Sequence, residues 1–251
     1  MARYEAARPG YRPEVIEKVK SIIGDCNMVV ELGAGTGKFS KAIIGSMPRQ
    51  STYLATEPSA AFRENLMKLG IEHAGFQVTE GTGENIPAKD GSCDAIVVAQ
   101  AFHWMANEGT LREVRRCLRK GGKLVMVWNV IDTNISWHRI LEGEILEKIY
   151  GGEEVPRYIS GEWEKVFESE AASAFSSVEK WSTVENFKRP SSPEDIVERI
   201  LSVSVVARLG EEAQRECAEE VLALLGSHEE TKGKTTLQLE YRSDIAYCQV
   251  L

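Results

Sequence analysis

The sequence predicts an α/β fold, a mostly parallel β-sheet with helices on both faces. Three observations carry that expectation. Short β-rich runs alternate with helical ones from residue 13 to residue 129, as in consecutive β-α-β units. The run at 94–100 (DAIVVAQ) is apolar at nearly every position, as a strand covered on both sides must be. The first β-rich run also passes directly into closely spaced glycines and then a helical stretch.

Taken in order, residues 13–23 form an amphipathic helix. Val15, Ile16, Val19, Ile22 and Ile23 share one face, and Pro13 suits a first helical turn. Residues 27–33 (NMVVELG) are a first buried strand. The helix at 36–47 follows the glycines and carries Phe39, Ala42, Ile43 and Ile44. A second strand spans 52–57 (TYLATE). Pro58 and Ser59 open a helix through Leu69, with Phe62, Leu66 and Leu69 as its stripe. Further strands are expected at 76–80, 94–100 and 123–129 (KLVMVWN), with a helix at 107–118 ended by Gly121 and Gly122.

After Asn129 the rhythm changes. Helical stretches at about 134–150 and 161–172 precede a β run at 177–187, helices near 192–208 and 211–226, and a closing strand at 235–249. That last run alternates enough to be an edge or antiparallel element. With no internal repeat or low-complexity linker, the chain reads as one domain, 1–251. Its parts are an N-terminal lid and helix (1–24), a ligand-binding core (25–129), a helical insertion (130–175) and C-terminal strands and helices (176–251).

Composition narrows the function classes. The 251 residues are 43% hydrophobic and 27% charged, which suits a packed domain rather than a disordered chain. A net charge of −8, with no long basic run, disfavours nucleic acid and anionic membrane surfaces as partners. The five cysteines (26, 93, 117, 217, 248) contain no CxxC, so neither a disulfide framework nor a metal site is expected. Cys93 and Cys248 sit in apolar runs as small buried hydrophobes. No stretch has the length of a signal peptide core or a spanning helix, and the expected location is cytoplasmic.

The most informative segment is Glu31-Leu32-Gly33-Ala34-Gly35-Thr36-Gly37. Alternating glycines at a strand end let backbone N–H groups approach a ligand closely. The dinucleotide fingerprint is GxGxxG around a pyrophosphate, whereas here the pattern is GxGxG and Glu31 lies two residues before it. A carboxylate in that place repels a pyrophosphate and welcomes a cationic amine. Glu57 closes the second strand 24 residues after Gly33, where an acid can accept hydrogen bonds from both ribose hydroxyls. Together these features predict an adenosine ligand that bears positive charge and lacks a pyrophosphate.

The run 30–37 resembles the first motif of the class I S-adenosylmethionine-dependent methyltransferases (E/DxGxGxG). The run 82–104 (TGENIPAKDGSCDAIVVAQAFHW) resembles their next two motifs, and 118–126 (LRKGGKLVM) the one leading into the fifth strand. The chain is similar to the type 11 methyltransferase group. The resemblance implies a Rossmann-like seven-stranded sheet whose last strand is antiparallel and inserted between the fifth and sixth. It also implies S-adenosylmethionine as cofactor. Carried onto this chain, it puts Glu31 near the methionine amino group, Gly33, Ala34, Gly35 and Gly37 along the amino-acid moiety, Glu57 at the ribose and Pro58 beside the adenine. Thr82, Gly83 and Glu84 would flank the adenine, and Gln100 would face the methionine portion. Thr82 stands where the family pattern often has Asp, which leaves adenine recognition to backbone amides or Glu84.

A narrower resemblance, carried by 100–104 (QAFHW), 4–13 (YEAARPGYRP) and 205–214 (VVARLGEEAQ), is to trans-aconitate methyltransferase-like small-molecule methyltransferases. His103 and Trp104 follow the C-terminal end of the fourth strand, where open α/β sheets place ligands. His103 is the candidate catalytic residue, either as general base or as hydrogen-bond donor to substrate oxygen. Trp104 offers a π face. Tyr4, Arg8 and Tyr11 are read as a lid, Trp137 as part of an aromatic acceptor wall, and Arg157 or Arg189 as a partner for an acceptor carboxylate. His73, His138 and His228 read as surface residues. The expected activity is methyl transfer to an oxygen of a small molecule, carboxylate or hydroxyl, by a monomer or homodimer. A silent cofactor-binding protein and a methyltransferase acting on protein are the alternatives.

Overall fold

The computed structural model describes residues 8–151 and 155–251. Its first helix, α1 (Pro13–Ile23), buries Val15, Ile16, Val19 and Ile23. Strand β1 (Met28–Leu32) leads through the glycine turn into α2 (Lys38–Ile43), β2 (Thr52–Thr56), α3 (Ala60–Lys68) and β3 (Phe76–Thr79). Next come β4 (Cys93–Ala99), α4 (Glu108–Cys117) and β5 (Leu118–Ile131). The following helical run is α5 (Ser136–Ile140), a π-helical turn (Leu141–Ile145) and α6 (Leu146–Tyr150). The chain ends with β6 (Glu179–Ser182), β7 (Phe187–Ser191), α7 (Pro193–Leu201), α8 (Glu211–Ser227) and β8 (Leu237–Gln249).

The strand order is β3-β2-β1-β4-β5-β8-β6, with β7 also paired to β8. β1 pairs parallel with β2 and β4, β2 with β3, and β4 with β5, whereas β8 pairs antiparallel with β6 and β7. The expected Rossmann-like sheet, with its last strand beside the fifth, is therefore present. It has eight strands rather than seven: the run expected at 177–187 holds β6, and a further strand, β7, begins at its last residue, Phe187. Between β6 and β7, the Thr183 hydroxyl takes the N–H of Ser243 at 3.1 Å in place of a backbone carbonyl, and Val184 points fully into solvent.

The chain forms two compact units. The larger comprises Gly10–Trp128, Pro156–Thr183 and Ser243–Leu251. One face of its sheet (Val29, Ala95, Val97, Val125, Val127) packs with Val15, Val19, Phe39, Ile43 and Leu66 from α1, α2 and α3. Side chains alternate along a strand, so Val30, Ile96, Val98, Leu124 and Met126 face the other way, and they are equally buried. α4 buries Leu111, Val114 and Cys117. The stretch expected as a helix at 161–172 is two 3₁₀ segments, Glu162–Glu168 and Glu170–Ala174. Trp163 and Val166, three apart, are both buried, which matches the 3₁₀ repeat.

Among the described residues, the smaller unit comprises 8–9, 129–151, 155 and 184–242. Its core gathers Trp137, Leu141, Ile145, Ile196, Ile200, Val221 and Tyr241. His138, expected at the surface, is fully buried there, its Nδ1 3.0 Å from the Asp132 carbonyl. Arg199 is buried too, bonded to Glu142 at 2.6 Å and to the Tyr241 hydroxyl at 3.2 Å.

Candidate active site

The C-terminal ends of β1, β2 and β4 bring the predicted acids and the glycine turn together within the larger unit. Glu31, next to last in β1, is 1% exposed. Its Oε2 accepts from the Ser40 hydroxyl at 2.5 Å and from the Tyr53 hydroxyl at 2.8 Å. The described residues give its Oε1 no hydrogen bond, so that oxygen is available to a ligand. Burial, aided by the nearby charge of Glu57, pushes the Glu31 carboxyl up to about 7, against the pull of its two hydroxyl donors. Between the ordinary 4.5 and about 7, the folded state keeps a proton that the unfolded chain has lost. Stability is therefore expected to fall as pH rises through that window, and Glu31→Gln should flatten the fall. Urea unfolding across this pH range checks it: equal slopes for both proteins would contradict the assignment.

Glu57, just after β2, is also buried. Its Oε2 accepts from the Gly35 N–H at 2.9 Å and its Oε1 from the Ser59 N–H at 3.0 Å. One carboxylate thus fixes the glycine turn and the start of α3, while each oxygen keeps a lone pair for another donor. Arg63 Nη1 holds the carbonyls of Glu57 and Pro58 at 2.7 and 2.8 Å, and its Nη2 pairs with Glu80 at 2.9 Å. Ala34 joins the turn to β2 through its N–H on the Thr56 carbonyl, 2.9 Å away.

Two glycines show why the turn is built as it is. Gly37 sits at φ 82°, and a Cβ there would lie 2.1 Å from Leu66 Cδ1, so α3 packs directly on its backbone. Gly35 sits at φ 56° with nothing within 4 Å of its notional Cβ, which leaves its surface open to a ligand. Gly33 lies under the loop after β4: its Cβ would be 2.9 Å from Ala101 Cβ and 3.6 Å from Met105 Cε. Met105 also reaches Gly83, which is buried between Thr82 and Glu84, both exposed. Glu84 is tethered by Asn107 Nδ2 at 2.8 Å, and Asn107 caps α4 through the Thr110 N–H.

Gln100 follows β4 with φ 60°, the one non-glycine residue at positive φ among those described. A side chain in that region is strained, and such residues cluster where a sheet end meets a ligand. Its N–H is anchored on the Val127 carbonyl at 2.8 Å. His103 and Trp104 lie in a 3₁₀ turn (Phe102–Trp104) just beyond. Trp104 is 45% exposed, its ring 5.5 Å from that of His103. His103 accepts at Nδ1 from Trp128 Nε1 at 3.2 Å, and burial pushes its imidazole down to about 4.

The other predicted residues are more scattered. Tyr11 packs edge-on against Phe39, with ring centres 4.9 Å apart, on the larger unit's core. Arg8 donates to the Ser202 carbonyl at 3.3 Å, and Trp137 is buried against His138, both within the smaller unit. The position of Trp137 in that core is not that of an open acceptor wall: at 4% exposure it is a packing residue. Tyr4 lies outside the described residues. Arg157 is half-buried, and so is Arg189 on β7. Sequence reasoning missed Ser40, Tyr53, Arg63, Asn107 and Trp128, which orient the acids and His103. Ser40 and Asn107 had legible signals, a hydroxyl one turn before Ile43 and Ile44 on a helix and an amide at a helix start.

An α/β sheet with two carboxylates braced around an open glycine turn is the arrangement that the resemblance to methyltransferase domains implies. Residues 30–126 match the model of the methyltransferase domain family. A methyltransferase-like protein of Schizosaccharomyces pombe is 34% identical over 171 residues, 66% of this chain and 63% of that protein. A methyltransferase of Mycobacterium tuberculosis is 38% identical over 146 residues, 57% of this chain and 55% of that protein. The matched segment thus spans little more than half the length of these curated relatives. Among solved structures, a protein of Anabaena variabilis described as a methyltransferase of an antibiotic biosynthesis pathway has a TM-score of 0.64 at 17% identity, covering 98% of this chain and 99% of that one. Haemonchus contortus phosphoethanolamine N-methyltransferase 2, bound to S-adenosylhomocysteine, has a TM-score of 0.58 at 10% identity, covering 99% and 56%. At such identities these structures support the fold alone.

No helix among the described residues is long and apolar enough to cross a membrane. No group of three or more His, Cys, Asp or Glu among them is arranged to hold a metal ion.

Proposed function

We propose that the protein transfers a methyl group from S-adenosylmethionine to an oxygen of a small-molecule acceptor, a carboxylate or a hydroxyl. The observation that carries this reading is the division of labour between two buried acids. Glu57 is spent on the Gly35 and Ser59 amides yet keeps lone pairs for ribose hydroxyls, while Glu31 keeps Oε1 for a cationic amine. Glu31, Gly33, Ala34, Gly35 and Gly37 then hold the methionine portion, Glu57 the ribose, Pro58, Thr82, Gly83 and Glu84 the adenine, and Gln100 the sulfur side. Tyr11 and Trp104 are assigned to the acceptor side.

The sulfonium supplies an activated methyl and a good leaving group. What the chain contributes is alignment and exclusion of water. Phe102 and Trp128, both almost fully buried, keep the region behind His103 dry. The acidic charge balance and the absence of an NPPY-like run after residue 100 support a small acceptor over nucleic acid bases.

Thermal unfolding tests the proposal. S-adenosylmethionine or its demethylated product should raise the midpoint and NAD should leave it unchanged. Because the amine must meet an ionised Glu31, affinity should fall by up to about tenfold per pH unit below about 7, with proton release from Glu31 on binding visible in calorimetry. Stabilisation by NAD alone would overturn the proposal.

A further inference from the structure

Trp128 Nε1 can only donate a hydrogen bond, so the 3.2 Å contact forces His103 Nδ1 to accept. A neutral imidazole that accepts at Nδ1 carries its proton at Nε2. The described residues give Nε2 no partner. Trp128 is itself immobilised: 1% exposed, it stacks on Tyr158 at 4.4 Å and lies against Trp163 at 4.8 Å. Tyr158 is pinned in turn, its hydroxyl donating to Asp244 at 2.8 Å while Ser182 occupies the other Asp244 oxygen at 2.6 Å. This chain of contacts lies wholly within the larger unit.

We infer that Trp128 is a positioning residue that locks His103 as a hydrogen-bond donor at Nε2, and that the acceptor is therefore an oxygen already anionic at neutral pH, a carboxylate. The inference rests on the methyl-transfer reading above and narrows it. A carboxylate oxygen forms the new O–CH₃ bond with its own lone pair, the electron pair of the broken C–S bond stays on sulfur, and no proton leaves. A hydroxyl acceptor would have to lose a proton, and His103 has no lone pair to take it: Nδ1 is engaged by the indole and Nε2 is already protonated. Nor is the imidazole poised to charge. The packed 3₁₀ segment Glu162–Glu168 carries Glu162, Glu164, Lys165 and Glu168; Lys165 pairs with Glu162 and Lys180 with Glu164, while Tyr158 is turned to Asp244. Burial alone holds the His103 imidazole well below its ordinary value.

Two measurements decide the matter. In the ¹⁵N-labelled free protein, His103 should show a protonated Nε2 and an unprotonated Nδ1 unchanged from about pH 5 to pH 8. A protonated Nδ1, or a titration within that range, would overturn the lock whatever the activity proves to be. With small carboxylates as acceptors, His103→Ala should lower kcat/KM by roughly ten- to a hundredfold, the worth of a hydrogen bond to a charged oxygen. His103→Gln restores an N–H donor without a base and should recover at least tenfold of that loss, with a flat pH–rate profile. Equal loss in both variants, or turnover confined to hydroxyl acceptors, would overturn the inference. Failure of the methyl donor to bind in calorimetry would instead remove the reading on which it rests.

Discussion

Glu57→Ala is expected to weaken S-adenosylmethionine binding by at least a hundredfold. Two ribose hydroxyls donating to one carboxylate are charge-assisted bonds of about 1.5–3 kcal/mol each, and both would be lost. The substitution also strips the Gly35 N–H and the Ser59 N–H of their acceptors, loosening the glycine turn and the start of α3 together. Glu57→Gln separates the contributions. Its amide oxygen can still accept from one of those amides or from a hydroxyl, but its NH₂ cannot accept, so its affinity should lie between the other two. Calorimetric titration of each variant with the methyl donor reads the effect directly. An alanine variant that binds within about threefold of wild type would place Glu57 outside the ligand contacts, because even one lost charged hydrogen bond exceeds that.

Gly37→Ala should destabilise the fold by about 2–5 kcal/mol, through two additive causes. Alanine at φ 82° carries the left-handed penalty of about 1–2 kcal/mol. Its Cβ would also lie 2.1 Å from Leu66 Cδ1 and 2.7 Å from Leu69 Cδ1. Those are side-chain ends, but Leu66 is fully buried and cannot swing into solvent, so the overpacking adds about 1–3 kcal/mol. Gly45→Ala is the matched control. Gly45 lies in the short 3₁₀ turn Ile44–Ser46 with nothing within 4 Å of its notional Cβ and no positive φ. That substitution should be neutral or mildly stabilising. Urea midpoints compare the three proteins, and similar midpoints for the Gly37 and Gly45 variants would refute the packing argument.

The sheet was legible because its signals are local. Runs apolar on both faces mark interior parallel strands wherever they occur, and the observed β1, β2, β4 and β5 fall within or around the expected segments. The failures have local causes as well. The break between β6 and β7 depends on a hydroxyl, that of Thr183, replacing a carbonyl in a ladder. The 3₁₀ segments near Trp163 depend on which aromatic rings they meet, and no helical periodicity encodes that choice. The Gly121-Gly122 pair, read as a helix stop, instead lies in β5 past a helix that ends at Cys117.

What the sequence determined by itself is the identity of the acids, their spacing along the chain and the glycines between them, because strand ends and turns follow from neighbouring residues. Only the tertiary structure decided which hydroxyls hold Glu31, which amides hold Glu57 and which ring nitrogen of His103 is taken by Trp128. Those contacts join residues 9, 22 and 25 positions apart on different elements. A side chain's protonation and hydrogen-bond role are set by the partners and burial that folding supplies, and these are not written in its sequence neighbours.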